Sequence, residues 1–243
     1  MKISAHHDGA STGALNMERD LVLLHSVQRG EFDIGFRSYT WDPWCVSLGR
    51  NQPPSSIDAL RCESLGFDIV QRPTGGRAVL HADELTYCIV MRIDDSRSAS
   101  FVYQQTHELI FNALQSVAEG LSLSTDSTNL RTHYASSGPL GQACFTSHAR
   151  SEIVRDGRKV VGSAQRIIAG CVLQHGSILC GPGHSTLADI IRATDMEREH
   201  LRAELQRVST TLSRPDNSLI SPTCIAECIH NSVEEELHRR FAR

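Results

Sequence analysis

Residues 71–87 read QRPTGGRAVLHADELTY. A diglycine, Gly75-Gly76, sits between Arg72 and Arg77 and leads into a short apolar run, Ala78-Val79-Leu80, that ends at His81. Glycines let a backbone approach a ligand closely and aim its N–H groups at it, and arginines add forked donors suited to carboxylate or phosphate. The stretch predicts a loop that holds a polar, anionic or acyl-bearing ligand. A plain hairpin turn fits the same residues, so the neighbouring segments decide between the two.

Upstream, residues 16–28 carry apolar side chains at helical spacing and predict an opening helix, ended by Gly30. Short strands are expected over 34–39 and 45–49, separated by the turn signal Asp42-Pro43. A helix over 57–65, capped from Ser55-Ser56, leads to a strand at 67–71. Past the diglycine, 78–81 and 85–91 are expected to form a strand pair. A long helical period covers 101–121, and a Ser/Thr/Gly-rich stretch over 122–141 is the expected mobile loop. Asp156-Gly157 predicts a hairpin between 151–154 and 159–165. Strands at 167–169, 171–173 and 178–179 extend the sheet, and 185–243 is mostly helical and charged. Strands crowd the middle and helices bracket them. That predicts an α+β fold with a mixed, largely antiparallel central sheet flanked by helices, not a regular βαβ alternation. The expected organisation is a catalytic unit over 1–184 with a helical segment, 185–243, packed on the same domain.

At 243 residues the chain can bury a large core. A formal net charge of −4 argues against general nucleic-acid binding, and no run approaches the ~18 apolar residues of a membrane helix. The N-terminus, MKISAHHDGAST, has no apolar core of an export signal. The eight cysteines are therefore expected to be reduced in a cytoplasmic protein, several of them buried as in LTYCIVM. Cys224 and Cys228, with His230 nearby, match no common zinc spacing, and no metal site is expected.

Three further segments bear on chemistry. In GRKVVGSAQR, from Gly157, Lys159 is followed by the small residues Gly162, Ser163 and Ala164, which admit a ligand beside the backbone. The Lys159 amine could polarise a carbonyl; an exposed hairpin lysine is the plainer reading. In LQHGSIL, from Leu173, the polar step holding His175 and Gly176 reads as a turn between two strands or as part of a site. Cys144, beside Phe145, is a loop thiol; acting as a nucleophile would require a nearby cation, for which His148, Arg150 and Lys159 are candidates.

Taken together, these segments resemble the biotin/lipoate protein ligase superfamily, and within it the cysteine-dependent octanoyltransferases. The matching stretches are NMERD, RSYTWDPWCVSLGRNQ from Arg37, RPTGGRAVLH, ELTY, ACF at Cys144, GRKVVGSAQR and LQHGSIL. They keep the family's order. Ligases of the superfamily more often carry a third glycine where Arg77 stands, and the chain departs from the family pattern at Ala82 and over 148–151.

The resemblance implies the catalytic fold of that superfamily and an acyl transfer in lipoate biosynthesis. Octanoyl would pass from acyl carrier protein to Cys144 and then to a lysine of a lipoyl domain or of the glycine-cleavage H protein. Lys159 would orient the acyl carbonyl and assist proton transfer. Arg72, Thr74, Gly75, Gly76, Arg77, His81, Gly162, Ser163, Ala164, His175 and Gly176 would shape the substrate site. No cofactor is expected, because a thioester is already activated; ATP and Mg²⁺ enter only if the chain is a lipoate ligase. A third possibility is a drifted lipoyl- or octanoyl-binding protein.

Overall fold

The computed structural model describes residues 1–125, 143, 151–214 and 216–241. Strand β1 (Ile3–Ser11) runs parallel to β2 (Ile34–Trp41), and helix α1 (Gly13–Gln28) joins them. Thr12 starts the helix, its hydroxyl accepting from the Leu15 N–H at 3.4 Å. Strand β3 (Cys45–Leu48) follows, then α2 (Ala59–Ser64), β4 (Asp68–Gln71), β5 (Val79–His81) and β6 (Glu84–Arg92). Helix α3 (Ala99–Leu114) precedes β7 (Leu121–Leu123), β8 (Ile153–Arg155), β9 (Arg158–Lys159), β10 (Val161–Ile168) and β11 (Cys171–Leu179). Helices α4 (Leu187–Ile190), α5 (Asp195–Val208), α6 (Pro222–His230) and α7 (Val233–Phe241) complete the described chain.

The α+β reading holds. A five-stranded sheet runs β1-β2-β6-β11-β10, with only the β1–β2 pair parallel. Period-two alternation divides its side chains between two cores. Ile34, Phe36, Tyr87 and Ile89 face α3, α6 and α7, meeting Val102, Leu109, Ile229 and Phe241. Tyr39, Trp41, Cys88 and Val90 face α1, meeting Met17, Leu23, Leu24 and Val27 at helical spacing. A second sheet, β4-β3-β5, buries Val46, Leu48 and Leu80 against Leu187 and Ile190 of α4 and Leu201 and Leu205 of α5. The helices beyond residue 185 thus divide between the two sheets.

The local structure corrects several boundaries. Segments 78–81 and 85–91 are not a pair: β5 pairs with β3, and β6 pairs with β2 and β11. Asp58, not Ser55-Ser56, caps α2, accepting from the Arg61 N–H at 3.1 Å. Helix α3 stops at Leu114, because Leu121–Leu123 leaves it to pair with β8. The Asp156-Gly157 hairpin forms, with φ of 50° and 74° at the two turn residues, the left-handed pair that a type I′ turn requires. Only β9 closes it, and β10 then joins the large sheet. The Gln174–Ser177 step is no turn: β11 runs unbroken and fully buried through it. The expected mobile loop over 122–141 lies largely outside the described residues. No described helix is long and apolar enough to cross a membrane.

Of the seven described cysteines, five are buried: Cys45, Cys62, Cys88, Cys171 and Cys180. Burial pushes each of these five thiols upward. Burial also holds His107, on α3, well below its ordinary value, down to about 4. A histidine depressed in the folded state binds its proton in the unfolded chain first, so stability is full above pH ~6.5 and falls as pH drops towards 4. His107 alone should cost about 2 kcal/mol at pH 5 relative to pH 7.5. Urea midpoints at the two pH values should show this loss, and His107→Gln should reduce it.

Candidate active site

A small cavity of about 30 Å³ lies between the two sheets. Ser47, Val79 and His81 contribute from the small sheet, Thr86, Gly162, Ser163 and His175 from the large one, and Met17 from α1. Gly176 keeps one wall open. A Cβ there would stand 2.3 Å from Ser163 Oγ and 2.8 Å from the Tyr87 ring, so no larger residue fits without displacing both.

Polar order begins in the core beneath the cavity. Arg37 on β2 is 1% exposed. Its guanidinium donates to Asp20 Oδ1 at 2.5 Å, to Asp8 Oδ2 at 2.6 Å and to the Asn16 carbonyl at 2.9 Å. Asn16 and Asp20 stand one helical turn apart on α1, so both meet the same strand. The other Asp20 oxygen accepts from Tyr39 OH at 3.0 Å and faces His175 Nδ1 at 3.4 Å. His175 Nε2 meets Thr74 Oγ1 at 2.5 Å, which ties the diglycine loop to the core. Burial raises Asp20, but the His175 hydrogen bond and the charges of His175 and Arg37 outweigh it, so the carboxyl ends below its usual value. Burial pushes His175 down, towards the neutral form.

A second carboxylate–histidine pair lines the cavity directly. His81 Nδ1 lies 2.6 Å from Glu84 Oε1, and its Nε2 lies 2.7 Å from Ser47 Oγ. The ring stacks on Trp41, with centroids 4.1 Å apart. Trp41 donates to Thr86 Oγ1 at 2.7 Å, and Thr86 donates to Glu84 Oε1 at 2.6 Å. At the far wall, Ser163 Oγ contacts Tyr87 OH at 2.6 Å and His107 Nε2 at 3.0 Å. His107 Nδ1 lies 2.9 Å from the Tyr103 carbonyl, so it carries the proton and Nε2 accepts from Ser163.

Seven of the expected site residues line this cavity: Arg72, His81, Gly162, Ser163, Ala164, His175 and Gly176. Arg72 turns much of its guanidinium inward. It donates to the Ser47 carbonyl at 2.8 Å, to Gly75 O at 2.9 Å and to Arg77 O at 2.7 Å, and so braces the loop. Gly76 takes a left-handed φ of 93° in that braced turn, a conformation that disfavours any side chain. Thr74 is buried behind the cavity as the partner of His175, while Gly75, Gly76 and Arg77 are not among its described lining. Lys159 is no exposed hairpin lysine. It is 4% exposed, and its Nζ lies 2.7 Å from Glu152 Oε1. Cys144, His148 and Arg150 lie outside the described residues. Ala143, which precedes Cys144, is buried and bridges to Ala78, two residues past the diglycine.

Sequence reasoning singled out neither Asp20, Arg37 and Glu84 nor the pairing of Glu152 with Lys159. The available signals were an arginine inside the apolar run IGFRSYTW and an Asn/Asp pair at i, i+4 on the opening helix. Among the described residues, no group of three or more His, Cys, Asp or Glu side chains is placed to hold a metal ion.

The α+β scaffold thus carries an apolar, histidine-lined cavity beside a braced diglycine loop. Residues 12–233 match the family model described as the lipoyl protein ligase A/B catalytic domain, and the chain belongs to that family. It is 37% identical over 180 residues to octanoyltransferase LipM of Clostridioides difficile, spanning 71% of this chain and 64% of that protein. The octanoyltransferase LipM of Brevibacillus brevis is 36% identical, covering 94% of this chain and 86% of the relative. Among solved structures, the bipartite lipoate protein ligase of Thermoplasma acidophilum superposes with a TM-score of 0.72 at 17% identity, covering 98% of this chain and 84% of that one. A lipoate-protein ligase A bound with ATP gives 0.70 at 18% identity, with 98% and 86% covered. At these identities the structures establish the shared fold.

Removing Lys159 alone takes a cationic partner from the buried Glu152 carboxylate. Lys159→Met should therefore destabilise by about 3–5 kcal/mol, while Lys159→Met combined with Glu152→Gln should regain most of it. Urea unfolding of the three proteins checks this, and the double variant is the better background for reading any effect of Lys159 on turnover.

Proposed function

We propose that this acyltransferase takes octanoyl from acyl carrier protein onto Cys144 as a thioester. It then passes the acyl group to the ε-amine of a lysine on a lipoyl domain or the glycine-cleavage H protein. The observation that carries the reading is the bridge from Ala143 to Ala78. Ala143 is the residue that precedes Cys144, and Ala78 lies two residues past the diglycine. The names of the relatives supply the acyl group, and the cavity supplies apolar wall from Met17, Trp41 and Val79. Each methylene taken from water contributes about 0.8 kcal/mol, so chain length can be selected there.

The two exchanges, thioester to thioester and thioester to amide, need no ATP. Lys159, held by Glu152, would set the positive potential that favours a thiolate at Cys144 and a polarised acyl carbonyl. The free thiols of the described cysteines suit a reducing cytoplasm, where this reading places the protein.

Incubation with octanoyl-acyl carrier protein should add one octanoyl mass, removed by hydroxylamine and missing in Cys144→Ala. An adduct that persists in Cys144→Ala would move the nucleophile elsewhere. Free lipoate with ATP–Mg²⁺ should release no pyrophosphate; robust release would replace the transferase with a ligase. A chain with neither activity would be a binding protein.

A further inference from the structure

At neutral pH an acceptor lysine arrives as an ammonium, because its ordinary pKa is about 10.4. Transfer therefore liberates a proton: R–NH₃⁺ and the octanoyl thioester give an amide, a thiol and H⁺. The attacking nitrogen needs its lone pair before the C–N bond can form, so a base must take that proton inside the cavity.

The geometry points to His81 as this base, acting through the Ser47 hydroxyl and oriented by Glu84. The inference rests on the thioester reading above. Glu84 Oε1 sits 2.6 Å from Nδ1, so Nδ1 carries the ring proton and Nε2 presents its lone pair. Ser47, on the cavity wall, donates to that lone pair at 2.7 Å and accepts from Arg72 at 3.1 Å. A proton leaving the ammonium for Ser47 Oγ displaces the hydroxyl proton onto Nε2. The resulting imidazolium faces the Glu84 carboxylate. The neutral amine then attacks the acyl carbonyl, the C–S bond to Cys144 breaks as the nitrogen's second proton passes to the sulfur, which leaves as thiol, and the proton on His81 passes to solvent.

Two features single out this pair. Glu84 is 1% exposed, and its Oε2 is buried with no hydrogen-bond partner among the described residues. Its one described ion-pair partner is His81, so its charge is available to an imidazolium. The Asp20 carboxylate beside His175 is instead committed to Arg37 at 2.5 Å, across a longer 3.4 Å approach to the ring. Glu84 also lines a second groove, with Thr40, Asp83 and Cys180. The titratable and charged groups about the His81 ring are Glu84 from β6, Arg72 through Ser47, and His175 from β11.

The test separates the two half-reactions. Octanoyl-loaded enzyme is mixed with lipoyl domain, or with hydroxylamine, an amine already neutral at pH 7. His81→Gln should still acquire the adduct, yet transfer it to lysine at least ~10²-fold more slowly than the loaded wild type. The loss should shrink as pH rises, and cleavage by hydroxylamine should stay within about twofold of wild type, since that amine arrives without the ammonium proton that His81 would take. Glu84→Gln, which keeps an acceptor for Nδ1, should show the same selective loss to a smaller degree, and it carries the test if thermal unfolding shows His81→Gln misfolded. Unimpaired lysine transfer overturns the assignment, as does an equal loss with hydroxylamine. A wild-type chain that octanoylates the lipoyl domain without ever bearing the adduct overturns the thioester reading itself, and this role with it.

Discussion

The Arg37–Asp20 ion pair is the contact through which the rest of the site is placed. It joins the second strand of the large sheet to the opening helix with both charges out of water. Such a pair adds little net stability over an apolar replacement, but loss of either partner leaves a buried charge uncompensated. What the pair contributes is direction. Asp20 is left with one oxygen for Tyr39 and His175, His175 reaches Thr74, and Thr74 anchors the diglycine loop. A loop that must present backbone to a ligand is thus fixed from the core outward, and its own glycines need carry none of the positional information.

The two carboxylate–histidine pairs show how environment divides similar groups into different roles. Asp20 is saturated by an arginine, a tyrosine and a histidine, and the histidine beside it is driven neutral by burial. Glu84 meets a histidine and a threonine and keeps one oxygen unpartnered among the described residues. The first arrangement resists change in protonation because every state but one breaks a contact. The second has spare capacity. Both are buried carboxylates facing a buried histidine, and the company each carboxylate keeps sets them apart.

Much of this was legible in the residues. Residues 16–28, IGFRSYTW and the Asp156-Gly157 turn announce their elements locally, because helical period, alternation and turn chemistry are short-range signals. Small residues opposite one another, Ser163 and Gly176, marked a cavity wall before their pairing was known. What could not be read was long-range. Val79–His81 and Glu84–Arg92 look like a hairpin in sequence, yet the chain between them crosses from one sheet to the other. The Gln-His-Gly-Ser step looks like a turn because its polar side chains lack local partners. Those partners arrive from Asp20 and Thr74, 155 and 101 positions away, and they let a strand run through. Lys159 looks like a surface residue for the same reason, until Glu152 folds onto it.

The buried cysteines carry a consequence for fidelity. Acyl groups wander among thiols by exchange, and the attacking species is the thiolate. Cys45, Cys62, Cys88, Cys171 and Cys180 are enclosed in apolar surroundings that hold their protons in place. An acyl group delivered to one accessible sulfur would find no reactive sulfur in the core to migrate to. A chain rich in cysteine can in this way keep its core thiols out of acyl exchange, with the hydrophobic interior serving as insulation against misrouting.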